Sequence, residues 1–112
     1  TTVYDTIDLP TEITDPEALA YDAQRDVFYV GGGFSYKIWE VDRDGGVEDV
    51  ITTLAGARAP GTNTRVHVKD IELAPASDGS NETHLYVADY GNSHVDDGRL
   101  IEIDMGSGWL VA

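Results

Sequence analysis

Oxygen-bearing side chains spaced through a glycine-containing loop are what a hard cation needs, and the run Asp89-Tyr90-Gly91-Asn92-Ser93-His94-Val95-Asp96-Asp97-Gly98 supplies them. Ca²⁺ takes roughly six to eight oxygen ligands with local flexibility. Asp89 and Asp96 are the candidate metal ligands of this run, with Asn92 and His94 as candidate binding residues. The order departs from Asp-x-Asp-x-Asp-Gly with a closing Glu, so an ordinary polar loop competes with a calcium loop. His94 is the histidine placed to act as acid, base or ligand, whereas His67 and His84 fall at strand starts, a setting for partly buried structural imidazoles. Covalent chemistry finds less support. The chain has no Cys, hence no thiolate and no disulfide framework. Ser35, Ser77, Ser80, Ser93 and Ser107 sit in turn-like surroundings without the strand-turn-helix setting of a hydrolase elbow. Gly31-Gly32-Gly33 is followed by neither Lys-Ser/Thr nor a helix and reads as a tight hairpin rather than a phosphate loop.

The elements that must position these groups repeat. Leu19-Ala20-Tyr21, Phe28-Tyr29-Val30 and Ile38-Trp39-Glu40-Val41-Asp42 recur as Ile71-Glu72-Leu73, Leu85-Tyr86-Val87 and Leu100-Ile101-Glu102-Ile103-Asp104. The offsets are 52, 57 and 62 (71 minus 19, 85 minus 28, 100 minus 38), so the second copy is longer in its turns and unchanged in its strands. Asp26–Val30 and His84–Ala88 are almost entirely β-branched or aromatic, the pattern of strands buried on both faces. Lys37–Asp42 and Arg99–Asp104 alternate apolar with polar, which predicts one face more deeply buried than the other. Gly46–Leu54 reads as a fourth strand closing the first unit, and Thr2–Leu9 as a leading strand. Trp39 and Ile101 are equivalent, as are Tyr29 and Tyr86, and similar burial between sheets is expected within each pair.

Four-stranded antiparallel units recurring about every 50 residues have the form of β-propeller blades. The fold class expected is all-β: two four-stranded antiparallel blades belonging to a six-bladed propeller, formed by a longer chain or by self-assembly. Residues 1–12 would be the outer strand of a neighbouring blade, 13–56 the first blade, 57–67 a linker and 68–112 the second blade, its last strand incomplete at Gly108–Ala112. Propellers close with about four to eight blades. With 112 residues giving two, three readings compete. The chain is a piece of a larger propeller, a unit that self-assembles as a homo-oligomer with three copies favoured, or a small two-sheet sandwich.

Asp15-Pro16-Glu17-Ala18-Leu19-Ala20-Tyr21-Asp22, Val27-Phe28-Tyr29-Val30 and Ile38-Trp39-Glu40-Val41-Asp42-Arg43-Asp44-Gly45 together resemble the blade of six-bladed propellers of the NHL-repeat, gluconolactonase-like and phytase-like esterase type. Leu85-Tyr86-Val87-Ala88-Asp89-Tyr90-Gly91-Asn92-Ser93-His94 is similar to the NHL wording after the second strand. In gluconolactonase-like proteins a Glu in the context matching Glu17-Ala18-Leu19-Ala20-Tyr21 ligates a divalent metal, so the resemblance implies a metal role for Glu17, although Leu19 replaces their Pro. Asp70, opposite Ala18 in the repeat, would face the same channel. Ca²⁺ is the ion expected between Glu17 and Asp70, with Lys69 as a competing neutraliser of Glu17.

The formal charge of −14 rests on only seven Lys and Arg against 21 Asp and Glu. Phosphate binding needs a cationic footprint, so no nucleic-acid partner and no anionic membrane surface are expected. No apolar run approaches the roughly 20 residues that cross a bilayer as a helix. The acidic balance fits a secreted or periplasmic protein and equally a halophilic or marine source. The leading functional expectation is a noncatalytic propeller segment acting as a binding or interaction scaffold. The alternatives are part of a Ca²⁺-dependent lactonase- or esterase-like hydrolase, and a structural repeat of a large secreted protein.

Overall fold

The computed structural model describes residues 1–33, 35–56, 66–91 and 98–105. The described residues are all-β apart from one short 3-10 turn, Thr53–Gly56. Four strands, β1 (Pro16–Asp22), β2 (Val27–Gly32), β3 (Ile38–Val41) and β4 (Val47–Ile51), form the first antiparallel sheet in sequential order, and β5 (Val68–Pro75), β6 (Thr83–Asp89) and β7 (Arg99–Ile103) form the second. Aspartates shape the connections. Asp22 accepts the backbone N–H of Gln24 and Arg25, Asp42 those of Asp44 and Gly46, and Asp78 that of Ser80. Each carboxylate replaces a ladder bond with a local one and so reverses the chain.

The strand register carries the repeat into space. Leu19 pairs with Val30 and Ile71 with Val87; Tyr29 pairs with Glu40 and Tyr86 with Glu102. Even the irregularities coincide. Both inner strands slip register at the equivalent place, between Pro16 and Ala18 and between Val68 and Asp70.

β5 packs on β1 and β2, and one core fills the space between the sheets. Ala18, Ala20, Tyr29 and Ile38 enter it from the first sheet, and Val68, Ile71, Leu85, Val87 and Ile103 from the second. The two sheets therefore do not meet through like faces. The side bearing the Tyr–Glu pair faces inward in the first sheet, whereas in the second sheet that side, with Tyr86 and Glu102, faces away. Gly31 allows the close approach. A Cβ there would come within 2.8 Å of Val68 Cγ1.

A smaller core lies on the outer face of the first sheet, where Val30, Trp39 and Val41 meet Ile13, with Leu9 against them. It is one-sided: residues 1–10 have no strand structure, and of them Ile7 and Leu9 line a groove beside Leu19, Phe28 and Val30 while Val3 and Tyr4 stand exposed.

Several expectations change accordingly. Thr2–Leu9 does not pair as a strand: Val3 and Tyr4 stand exposed, and Ile7 and Leu9 meet a sheet face, where no ladder groups are offered, rather than a sheet edge. β4 ends at Ile51, with the chain tightening into the 3-10 turn that buries Leu54. β2 is buried on both faces as predicted, but β6 is not, since Tyr86 and Ala88 are half-exposed. β3 is buried throughout rather than alternating. Trp39 and Tyr29 are buried while Ile101 and Tyr86 are only half so, because equivalent residues meet different neighbours in a face-to-opposite-face stack. Gly108–Ala112 lies outside the described residues.

Candidate functional site

Three polar groupings and two apolar faces are the places where this fold could act. The first grouping joins the sheets. The bulged positions of the inner strands, Glu17 and Lys69, are repeat equivalents, and a bulge re-aims its side chain out of the pleat. Here the two side chains turn to one another, Lys69 Nζ donating to Glu17 Oε2 at 2.7 Å, while Gly33 N–H donates to Glu17 Oε1 at 3.2 Å. The hydrogen bond from Lys69 and then that from Gly33 lower the Glu17 pKa, and the bond to Glu17 raises that of Lys69. Lys69 also lies 5.0 Å from the centre of the Tyr90 ring. The ammonium thus stands at the carboxylate for which a cation was expected. Asp70 is exposed and accepts the N–H of the adjacent Ile71.

Asp89 is the second focus. Its carboxylate is almost wholly buried, with Oδ1 accepting the backbone N–H of His67 and Gly91 and Oδ2 lying 3.3 Å from Arg99 Nη2. These donors tie the start of β5, the end of β6 and the start of β7 to one side chain. Asn92, His94 and Asp96, the remaining members of the loop singled out in the sequence, lie outside the described residues.

The third grouping occurs twice, once in each sheet, on the Tyr–Glu side. In the first sheet Glu40 is 2% exposed and is met by the Arg25 guanidinium, which also donates to the Tyr29 hydroxyl at 3.0 Å. Tyr29 in turn lies 3.5 Å from Asp22 Oδ2. Burial dominates Glu40 and raises its pKa, with Arg25 opposing the rise. In the second sheet Glu102 is 26% exposed and accepts from the Ser77 hydroxyl at 2.6 Å and the Ser77 N–H at 3.0 Å, with His84 Nδ1 at 2.6 Å. The Ser77 bonds, then His84, hold Glu102 down at about 2, and the bond to Glu102 raises His84. On the far side of the imidazole, Nε2 lies 3.4 Å from Glu82 and 3.7 Å from Asp104.

Asp78, Glu82 and His84 bring three ligand atoms within 4.8 Å of one another, and such a group could hold a metal. It was not singled out from sequence. His84 read as structural, and it is indeed 6% exposed and fully engaged with carboxylates. The signal that could have found the cluster is local: Asp78, Glu82 and His84 fall within seven residues across the turn from β5 into β6.

The apolar faces are the outer side of the first sheet and the Tyr86 side of the second. Leu19 and Tyr21 stand exposed on the first and Leu100 on the second. Arg43 lies over the rings of Tyr21 and Phe28, at 5.7 and 5.5 Å, and pairs with Asp26. Compared with protein-family models, with curated proteins and with solved structures, the chain matches none.

Proposed function

We propose that this chain is a noncatalytic β-propeller segment that serves as an interaction scaffold, each sheet acting as one blade. The observation that carries the reading is the relation between the sheets. They share register and bulge position, yet the Tyr–Glu side of one rests on the opposite side of the next. A sandwich of like faces would be complete after two sheets, whereas a face-to-opposite-face step leaves an unused copy of each face and repeats without limit until it closes. The motif resemblance in β1, β2 and β3 points the same way. The hydrolase alternative rests on Glu17, whose carboxylate is taken by Lys69 and Gly33, and so has less to draw on.

A tandem fusion of three copies of the chain, six sheets in all, tests this reading. Blades that stack should give one cooperative transition well above the melting temperature of the single chain. Three copies that each melt at the single-chain temperature, as independent sandwiches on a string, would refute the reading.

A further inference from the structure

The exposed apolar side chains of the strands are not scattered. Leu100 is 72% exposed, yet its repeat equivalent Ile38 is 0% exposed in the core between the sheets. Leu19 is 61% exposed, yet its equivalent Ile71 is 3% exposed in that same core. Tyr21 is exposed where Leu73 packs on the core. Each strand residue of this kind thus stands where the other sheet has an interface residue. Leu100 belongs to the side that the first sheet has already buried, and Leu19 and Tyr21 to the side that the second sheet has already buried.

The covering segments repeat as well. Leu54 and Val66, on the way from β4 to β5, join the large core beside the second sheet; Leu9 and Ile13, on the way into β1, join the small core beside the first. The small core thus has the linker half of the large one and lacks the sheet half. In place of that sheet is a groove of about 380 Å³ with Ile7, Leu9, Leu19, Phe28 and Val30 in its walls. The open side of the second sheet presents what the first sheet inserts at the equivalent place: Tyr86 for Tyr29, Ala88 for Gly31 and Leu100 for Ile38.

We infer that the Tyr86 side of the second sheet docks on the outer face of the first sheet of a second copy of this chain, with Leu100 entering the groove beside Leu19. The inference rests on the stacking relation behind the proposed function and names its partner. A second copy is the occupant because both halves of the contact are on one polypeptide and their geometry is already used once within it. Three features weaken the contact between chains relative to that within one. Asp70 and Glu72 stand where the first sheet has Ala18 and Ala20, Ala88 carries a methyl where Gly31 allows the close approach, and two chains of formal charge −14 repel. Salt screens that repulsion, so association should strengthen as ionic strength rises.

Sedimentation equilibrium of the whole chain at low and high NaCl is the test, with Leu100→Glu and Leu19→Glu as variants. Both residues are exposed in the single chain, so circular dichroism and melting of dilute protein should be unchanged. The wild type should self-associate in high salt, and each variant should lose that association by more than about tenfold. An equimolar mixture of the two variants should recover a heterodimer and go no further, since each partner keeps one intact half. A wild type that stays monomeric at all concentrations and salts, association that survives Leu100→Glu, or a mixture that recovers nothing would overturn the inference. If the wild type is monomeric while the tandem fusion gains its cooperative transition, self-docking falls and the stacking reading stands.

Discussion

Glu40 and Glu102 face Tyr29 and Tyr86 in the same register of two equivalent sheets, and the chain has given them opposite surroundings. In the first sheet the Tyr–Glu side is covered by a second sheet, and the carboxylate is buried beside the Arg25 guanidinium, with Asp49 and Glu48 adding like charge. In the second sheet the same side is open, and the carboxylate, 26% exposed, is held by a serine and a histidine. Burial pushes the first carboxyl up and hydrogen bonding pulls the second down, so one strand pattern yields groups with opposite proton affinities. What a repeat conserves is register; what a residue experiences depends on which neighbour its face has met.

The largest difference between the two sides is expected at the tyrosines. Tyr29 is fully buried between the sheets, so Tyr29→Ala should cost about 3–5 kcal/mol, the range for large aromatic truncations in a core. Tyr86→Ala, on the open side, should cost much less. Urea unfolding of the two variants measures the difference, and equal losses would show that the sides are not distinguished by burial.

A smaller effect is expected at Gly31 and its equivalent Ala88. Gly31→Ala places a methyl 2.8 Å from Val68 Cγ1, inside the core, and should destabilise by about 1–3 kcal/mol as overpacking does. Ala88→Gly relieves no such contact and should shift stability by about 1 kcal/mol or less, through backbone entropy. Thermal melts compare them. A neutral Gly31→Ala would mean that the sheets can separate without loss at that point.

The smallest effect is in pH. Glu102, depressed to about 2 from an ordinary 4.5, contributes stability above 4.5 that fades as pH falls towards 2. His84, raised above 6.5, contributes fully below 6.5 and loses its contribution as pH climbs through its elevated value. The β6–β7 hairpin should accordingly be tightest between about pH 4.5 and 6.5. Glu40 runs the other way: its raised pKa makes the ionised form a cost above 4.5, and acidification removes that cost. Amide exchange, corrected for its intrinsic pH dependence, should show β6–β7 opening before β2–β3 between about pH 5 and 3. Simultaneous opening would erase the difference between the two glutamates.

Much of the fold was legible in residue order. The three offsets align the strands as the register pairs them, and the Asp-led turns fall where the chain reverses, because β-branched and aromatic runs and Asx turns are local in origin. Lys69 is also legible as a neutraliser of Glu17 in competition with a cation, and the structure pairs the two side chains. The cluster of Ser77, His84 and Glu102 was not. Its members lie 7 and 18 residues apart, and only hairpin pairing brings them together.

The seven strands, their order, the equivalence of the two repeats and the acidic balance follow from residue order alone, through β-branched and aromatic runs, turn chemistry and composition, whereas the leading segment and the end of β4 do not. Which side of each sheet is covered is fixed by the packing of one sheet on the other. That choice leaves Leu100 in solvent and Ile38 in the core, and turns Glu17 toward Lys69. The reason is physical: a period of two specifies that a strand has two faces, and both faces here are apolar enough to bury, so the pattern along one strand cannot say which face a neighbouring sheet will take.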